Sequence, residues 1–296
     1  DIPALAAVCR AQGVPLLVDN AHGAYLRFLP QNCHPIAQGA AMCCDSAHKT
    51  LPVVTGGAYL HLAHDAPVQD EAAVRGALAL FGSTSPSYLI LQSLDACNAV
   101  LAGDYPRQLA QCCAALENLR RSLNKAAAAR QCPVPLAVAG AQQEPMKLTL
   151  DAAALGCTGI ALAEALRRAQ MECEYADPRY VVLMFTPENP PQDFERLQTA
   201  LEQLLAAVPA GLPRPENRAG EFAALQQQAV QRCTIRQAVL GAQVRIPVHK
   251  ALGRVCAMPT VSCPPAIPVA VSGEEITPAA IALMQRYGIE ELSVLR

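Results

Sequence analysis

The sequence predicts an α/β fold on three observations. Two short apolar runs, Val14-Pro15-Leu16-Leu17-Val18 and Ala40-Ala41-Met42-Cys43-Cys44, each end in an aspartate, Asp19 and Asp45. Such runs read as strands buried on both faces of a parallel sheet, with a polar residue at the carboxyl end. Helical stretches flank them, first at residues 1–13 and again from Tyr88 onward. The composition, 52% hydrophobic and 16% charged over 296 residues, can bury a core large enough for two or three domains.

In chain order, residues 1–13 read as a sheet-packing helix, with Pro3 suited to its first turn and Gly13 to its C-cap. The two runs ending in Asp19 and Asp45 follow as strands, and Thr55 to Leu62 is a third, entered through Gly56-Gly57. His64 to Leu80 reads as a loop and a helix. Phe81-Gly82-Ser83-Thr84-Ser85-Pro86 is a hydroxyl-rich turn before a helix from Tyr88 to about Leu101. Such a turn suits a phosphate group, although a plain N-cap has the same composition. A long helix from about Tyr105 to Ala129 leads to a small α+β domain. Its elements are a strand (146–150), a helix (158–170), a strand pair (172–175 and 180–185) and a helix (191–207). The proline-rich stretch 209–215 reads as a linker, after which 220–240 is helical, 246–274 proline-rich and 278–287 a short helix. The expected division is 1–128, 129–208 and 209–296.

Ligands of open α/β sheets sit beyond the carboxyl ends of the strands. Two segments occupy that position here, Val18-Asp19-Asn20-Ala21-His22-Gly23 and Asp45-Ser46-Ala47-His48-Lys49-Thr50-Leu51. A lysine and a carboxylate delivered to one sheet edge are what pyridoxal 5'-phosphate (PLP) chemistry needs. Lys49 is expected to hold the cofactor as a Schiff base. Asp19 is expected to salt-bridge the pyridine nitrogen, keeping the ring able to accept an electron pair.

These segments resemble the Orn/Lys/Arg decarboxylase family of fold-type I PLP enzymes. Asp19-Asn20-Ala21-His22-Gly23 matches its Asp-x-Ala-His-Gly, Ser46-Ala47-His48-Lys49-Thr50 its Ser-x-His-Lys-Thr, and Thr84-Ser85-Pro86-Ser87-Tyr88 its Thr-Ser-Pro-Ser-Tyr. Cys263-Pro264-Pro265-Ala266-Ile267-Pro268 and Ser272-Gly273-Glu274 are similar to its Tyr-Pro-Pro-Gly-Ile-Pro and Pro-Gly-Glu, so the resemblance runs to about residue 276. Departures are Asn20 for Glu, Cys263 for Tyr, Ala266 for Gly and Ser272 for Pro.

The resemblance implies a fold-type I large domain containing part of a mainly parallel sheet, an α+β small domain and a decarboxylase-type tail. It implies that Ser46 contacts the cofactor phosphate and that Ala21 lies against the ring face. His48 stands beside the phosphate or the substrate carboxylate, and His22 serves the site or orients Asp19. Ser83 and Ser85 reach the phosphate of a neighbouring subunit, which implies a homodimer or higher homo-oligomer with shared sites. The implied reaction is α-decarboxylation of lysine, ornithine or arginine to a polyamine precursor and CO2. An aminotransferase or lyase on the same fold is the alternative. Relatives carry a preceding stretch with a phosphate-binding turn and a ring-stacking side chain, and this chain starts without Met inside a helix. A fragment, split gene product or processed chain is therefore expected, with a non-catalytic partner subunit as a further alternative.

The remaining residues narrow the classes. A net charge of −2 gives no case for nucleic acid or an anionic membrane, and no run of 18 apolar residues lacks both charge and proline. No signal-peptide pattern is present. Thirteen cysteines occur without any Cys-x-x-Cys spacing, so no metal site and no disulfide framework is expected. Most are expected as small buried hydrophobes in a reducing cytosol. Tyr25 and Arg27 are plausible pocket residues, and His34, His61, His64 and His249 read as incidental. Glu274 either faces a basic substrate or sits at a solvated turn.

Overall fold

The computed structural model describes residues 1–68, 70–83, 85–138, 144–209, 212–213, 225, 227–262 and 267–296. Contacts divide the chain into two units, Asp1–Glu117 with Phe185–Pro191 and Asn118–Met184 with Gln192–Arg296.

In the first unit, α1 (Ile2–Ala11) starts because the Asp1 carboxylate accepts from the Ala4 N–H at 3.1 Å and Pro3 lies in the first turn. It stops at Gly13, whose φ of +66° lies in the left-handed region. Three strands follow, β1 (Leu17–Asp19), β2 (Met42–Asp45) and β3 (Tyr59–Leu62), in the order β1-β2-β3. β1 runs parallel to β2, with Asp19 opposite Cys44, and β3 is antiparallel to β2. The parallel pair brings the carboxyl ends of β1 and β2 to one edge of the sheet. A single turn, α2 (Ala47–Thr50), leaves β2 at that edge.

Three helices follow, α3 (Glu71–Phe81), α4 (Tyr88–Ala102) and α5 (Tyr105–Ala129), the last belonging to this unit only as far as Glu117. The Tyr105 hydroxyl donates to the Thr50 carbonyl at 3.4 Å, and its buried ring meets Phe28 edge-on at 5.8 Å. The start of α5 therefore braces the end of α2. One expectation fails here: Val14 is 55% and Leu17 60% exposed, not buried on both faces. β1 pairs only with β2 among the described residues, so it is an edge strand with one face unpacked.

The second unit holds an antiparallel sheet in the order β4-β6-β5, built from β4 (Lys147–Asp151), β5 (Tyr175–Ala176) and β6 (Tyr180–Met184). Against it lies α6 (Gly159–Arg168), capped by Thr158 Oγ1 on the Ala161 N–H at 3.2 Å, and α7 (Pro191–Ala206) follows, tied to Ser122 through Gln198 at 3.1 Å. Leu197, Leu201 and Leu205 recur every fourth residue and are all buried, which is the inward stripe of an amphipathic helix. Farther on, α8 (Ile235–Leu240), β7 (Gln243–Pro247), α9 (Pro278–Arg286) and β10 (Glu291–Leu295) enclose Val248, Cys256, Ile276, Met284 and Val294. β7 and β10 pair antiparallel, as do β8 (Thr260–Ser262) and β9 (Ile267–Ala270).

The expected helical stretch over 220–240 falls partly outside the described residues; within them Leu225 and Gln227 are helical, the chain turns at Gln228, and a second helix begins at Ile235. Its N-cap is Thr234, which forms a reciprocal capping box with Gln237, while Gln231 bridges to Glu274. Cys263 to Ala266 and most of the 209–215 linker lie outside the described residues. The described cysteines are free thiols, but only Cys43, Cys97, Cys112 and Cys256 are fully buried, and Cys44 is exposed. No helix among the described residues is long and apolar enough to cross a membrane.

Candidate active site

The site is assembled where β1 and β2 end. Past Asp19, the Asn20 N–H donates to the Cys44 carbonyl at 2.9 Å, extending the parallel ladder by one residue. The Gly23 N–H then donates to the Asn20 carbonyl at 2.8 Å, closing a turn that presents Ala21 and His22. From β2, Ser46 opens α2 and its carbonyl accepts from the Lys49 N–H at 3.0 Å, so Lys49 projects from the only turn of that helix. The two excursions meet: Lys49 Nζ lies 3.4 Å from His22 Nε2.

Lys49 and Asp19 are both exposed, and neither has an ion-pair partner among the described residues. That is the opposite of a surface lysine committed to a salt bridge. His48 is held twice by one atom, since its backbone N–H and its ring Nδ1 both point at the Gly57 carbonyl, at 3.2 and 2.9 Å. A carbonyl only accepts, so Nδ1 carries the proton and the neutral ring has Nε2 as its acceptor.

Behind this edge is a group that sequence reading did not anticipate. Asp45 is buried and its carboxylate accepts from Asn20 Nδ2 at 2.8 Å, His34 Nε2 at 3.0 Å and His61 Nε2 at 3.0 Å. The Cys43 thiol adds a fourth donor at 3.3 Å. Burial alone would raise the Asp45 pKa, but the bonds from His34, His61 and Asn20 hold it well below the usual carboxylate range. Burial and the neighbouring Asp45 charge push the Cys43 thiol far up. His34 and His61 are therefore structural partners of one carboxylate, not incidental residues. The Asn20 departure gains a reason too, because a glutamate there would set two carboxylates against each other.

Lys49, His22, Asp19, Ala21, Ser46 and His48 thus lie on two adjoining turns at one sheet edge. Ser83 and Ser85 stand apart, in the exposed turn between α3 and α4. There the Ser85 N–H donates to Ser83 Oγ at 3.1 Å, and Thr84 lies outside the described residues. Tyr25 is buried in the core. Arg27 lines a cavity of about 530 Å³ with His34, Asp45, Tyr59, His61 and Asn98, and that lining does not include Lys49 or His22. Glu274, in the second unit, accepts from the Val271 N–H at 2.9 Å within its own turn.

The donor set fits PLP. It comprises an accessible amine with no carboxylate partner, a carboxylate at the end of the adjoining strand and an imidazole beside the amine. The chain is similar to known proteins over most of its length. Residues 4–147 match the Orn/Lys/Arg decarboxylase major domain. The arginine decarboxylase of Bacillus subtilis is 28% identical over 285 residues, covering 94% of this chain and 56% of that protein. The B. subtilis protein YaaO is 30% identical over 284 residues, covering 93% and 56%. The crystal structure of the Francisella novicida lysine decarboxylase superposes with a TM-score of 0.69 at 16% identity, over 95% of this chain and 53% of that one. The fold is that of the fold-type I PLP enzymes. The chain spans about half the length of the curated relatives it matches.

Proposed function

The chain belongs to the Orn/Lys/Arg decarboxylase family, and from that membership we propose that it takes part in PLP-dependent α-decarboxylation of a basic amino acid, yielding a diamine or agmatine and CO2. The observation that carries the reading is the 3.4 Å approach of Lys49 Nζ to His22 Nε2, at the edge where Asp19 ends the neighbouring strand.

In this reading Lys49 tethers the cofactor, Asp19 pairs with its ring nitrogen, Ala21 leaves room for the ring face, and Ser46 and His48 hold the phosphate side. When bound, PLP supplies an electron sink for the pair left on the α-carbon as CO2 departs. The chain supplies the rest. Lys49 and His22 share a proton-bearing contact, so one holds the proton that the other gives up. His48, with Nδ1 committed to Gly57, offers only its Nε2 side to an incoming group.

Sharing of sites between copies belongs to the same proposal. Leu80, Phe81 and Tyr88 are 79%, 92% and 85% exposed, flanking the turn of Ser83 and Ser85, as expected of a face that a second copy covers. The division at residues 128 and 208 and a cytoplasmic location are also part of it; the free thiols of the described cysteines support the latter.

The test is borohydride reduction of the purified chain with PLP, followed by peptide mapping and assays of CO2 release from lysine, ornithine and arginine. A pyridoxyl label on Lys49, lost in Lys49→Ala, is expected. A label elsewhere, or keto-acid formation without CO2, would overturn the assignment.

A further inference from the structure

We propose that the buried cluster behind the sheet edge is a binding site for a divalent cation of the zinc class, held by His34, Cys43 and Asp45, with His61 at its mouth and the fourth position left to water. Four observations carry this.

The first is placement. Cys43 and Asp45 are two apart on β2 and so face the same side, and His61 is the register partner of Cys43 on β3. His34 enters from the turn before residues 35–38 and completes the group. Two separate segments thus bring one imidazole, one thiol and one carboxylate together, and His61 borders them from β3.

Distances are the second observation. The ligand atoms of His34, Cys43 and Asp45 all lie within 4.8 Å of one another. His34 and His61 Nε2 are each 3.0 Å from Asp45 Oδ2, Cys43 Sγ is 3.3 Å from Asp45 Oδ1, and Cys43 Sγ is 3.9 Å from His34 Nε2. A tetrahedral zinc site has edges of ~3.4 Å between nitrogen and oxygen and ~3.6 Å where sulfur is involved. For His34, Cys43 and Asp45 small shifts convert one set into the other, and His61 lies outside this three-ligand set.

Third comes charge. The ring Nδ1 of His34 accepts from the Ile36 N–H at 3.3 Å, so His34 is the neutral tautomer protonated at Nε2. Asp45, only 2% exposed, has no Lys or Arg paired with it among the described residues. A divalent cation on one thiolate, one carboxylate and one neutral imidazole brings the site to net zero. The balance is simple: the Cys43 S–H proton leaves to solvent as the S–metal bond forms. The His34 proton moves from Nε2 to Nδ1, giving up the long contact to Ile36.

Access is the fourth. His61, 40% exposed in its side chain, opens with Asp45 and His34 onto the 530 Å³ cavity, which gives an ion a way in.

The test is titration of the reduced chain with Co²⁺, followed by absorption. One bound cobalt per chain, with a thiolate charge-transfer band and four-coordinate ligand-field bands, is expected. Near-isosteric Cys43→Ser should remove the thiolate band. Asp45→Asn, which keeps the shape of the side chain but not its charge, should weaken cobalt binding at least tenfold. Lys49→Ala should leave the spectrum unchanged, separating this site from the PLP lysine. Absence of stoichiometric cobalt, or a thiolate band that persists in Cys43→Ser, would overturn the proposal.

Discussion

Asn20 Nδ2 donates a 2.8 Å hydrogen bond to Asp45 Oδ1, and through it the residue after Asp19 is tied to the residue before Ser46. The two turns that present His22 and Lys49 are therefore locked to each other by a side-chain bond as well as by the strand ladder. Asn20→Asp should lower stability by about 3 kcal/mol at pH 7, because a donor is lost and a second carboxylate is set against a buried one. Asn20→Ala removes the donor without adding charge and should cost about half as much. Urea midpoints of the two variants check this; equal losses would show that repulsion at this position is not felt.

Gly23 is fixed by the same bond. A Cβ on Gly23 would stand 2.0 Å from Asn20 Oδ1 and 2.5 Å from its Cγ, and Asn20 cannot swing away without leaving Asp45. Gly23→Ala should destabilise by about 1–3 kcal/mol. Paired with Asn20→Ala, which vacates the space, the loss should shrink by at least half. A double-mutant cycle on urea midpoints reads the coupling, and additivity would refute the clash.

How much of this was legible beforehand follows from the range of each signal. Local patterns read well: Asp1 and Pro3 start α1 and Gly13 ends it, and the helix over 105–129 has the bounds its periodicity gives. Lys49, Asp19 and His22 were visible because motif and strand end are contiguous in sequence. The Asp45 cluster was not. Its members come from residues 34, 43, 45 and 61, and only the Cys43–His61 register of an antiparallel pair, fixed in three dimensions, shows that they meet. Leu17 misled for a related reason: an apolar run reports the residue's preference, while exposure depends on what packs on each face. The helix expected across 220–240 is interrupted between Gln228 and Thr234, because Thr234 and Gln237 form a capping box inside that stretch, a start signal that periodicity alone passes over.

Alkaline pH should weaken the first unit through its buried thiols. Burial, with the neighbouring Cys113 and Glu188, pushes the Cys112 thiol up to about 12, and its Sγ donates to the Thr186 carbonyl at 3.4 Å. A folded-state pKa above the unfolded value of about 8.5 means that the unfolded chain gives up the proton first. The stabilisation is complete below that value and declines as pH rises from there toward 12. Urea midpoints between pH 7 and 10 should fall, and Cys112→Ala should show a shallower decline. An unchanged slope in the variant would assign the alkaline limb to other groups.

In the second unit Asp151 and Arg179 form the best-defined ion pair. Arg179 Nη2 and Nε donate to Asp151 Oδ2 at 2.7 and 3.1 Å, and the buried carboxylate also accepts from the Ala153 N–H at 3.1 Å. Arg179→Ala leaves that carboxylate without its cation and should cost about 2–4 kcal/mol. Arg179→Lys keeps the charge but not the two-pronged fork, and should recover only part of the loss. Thermal denaturation of both variants checks the order; a lysine variant as stable as the parent would show that charge alone matters.

His48 separates anchoring from chemistry, because its two ring nitrogens have different tasks. Nδ1 donates to the Gly57 carbonyl, and that bond holds the residues before β3 against α2. An asparagine side chain can place its amide near Nδ1 but has nothing at the Nε2 position. His48→Asn should therefore stay within about 0.5 kcal/mol of the parent, whereas His48→Ala should lose about 1 kcal/mol with the missing bond. If Nε2 faces the cofactor or substrate, both variants should bind PLP at least tenfold more weakly or turn over correspondingly more slowly. Measuring PLP affinity by absorbance beside urea midpoints distinguishes the two tasks. A His48→Asn chain with normal stability and normal PLP binding and turnover would leave His48 with the anchoring role only.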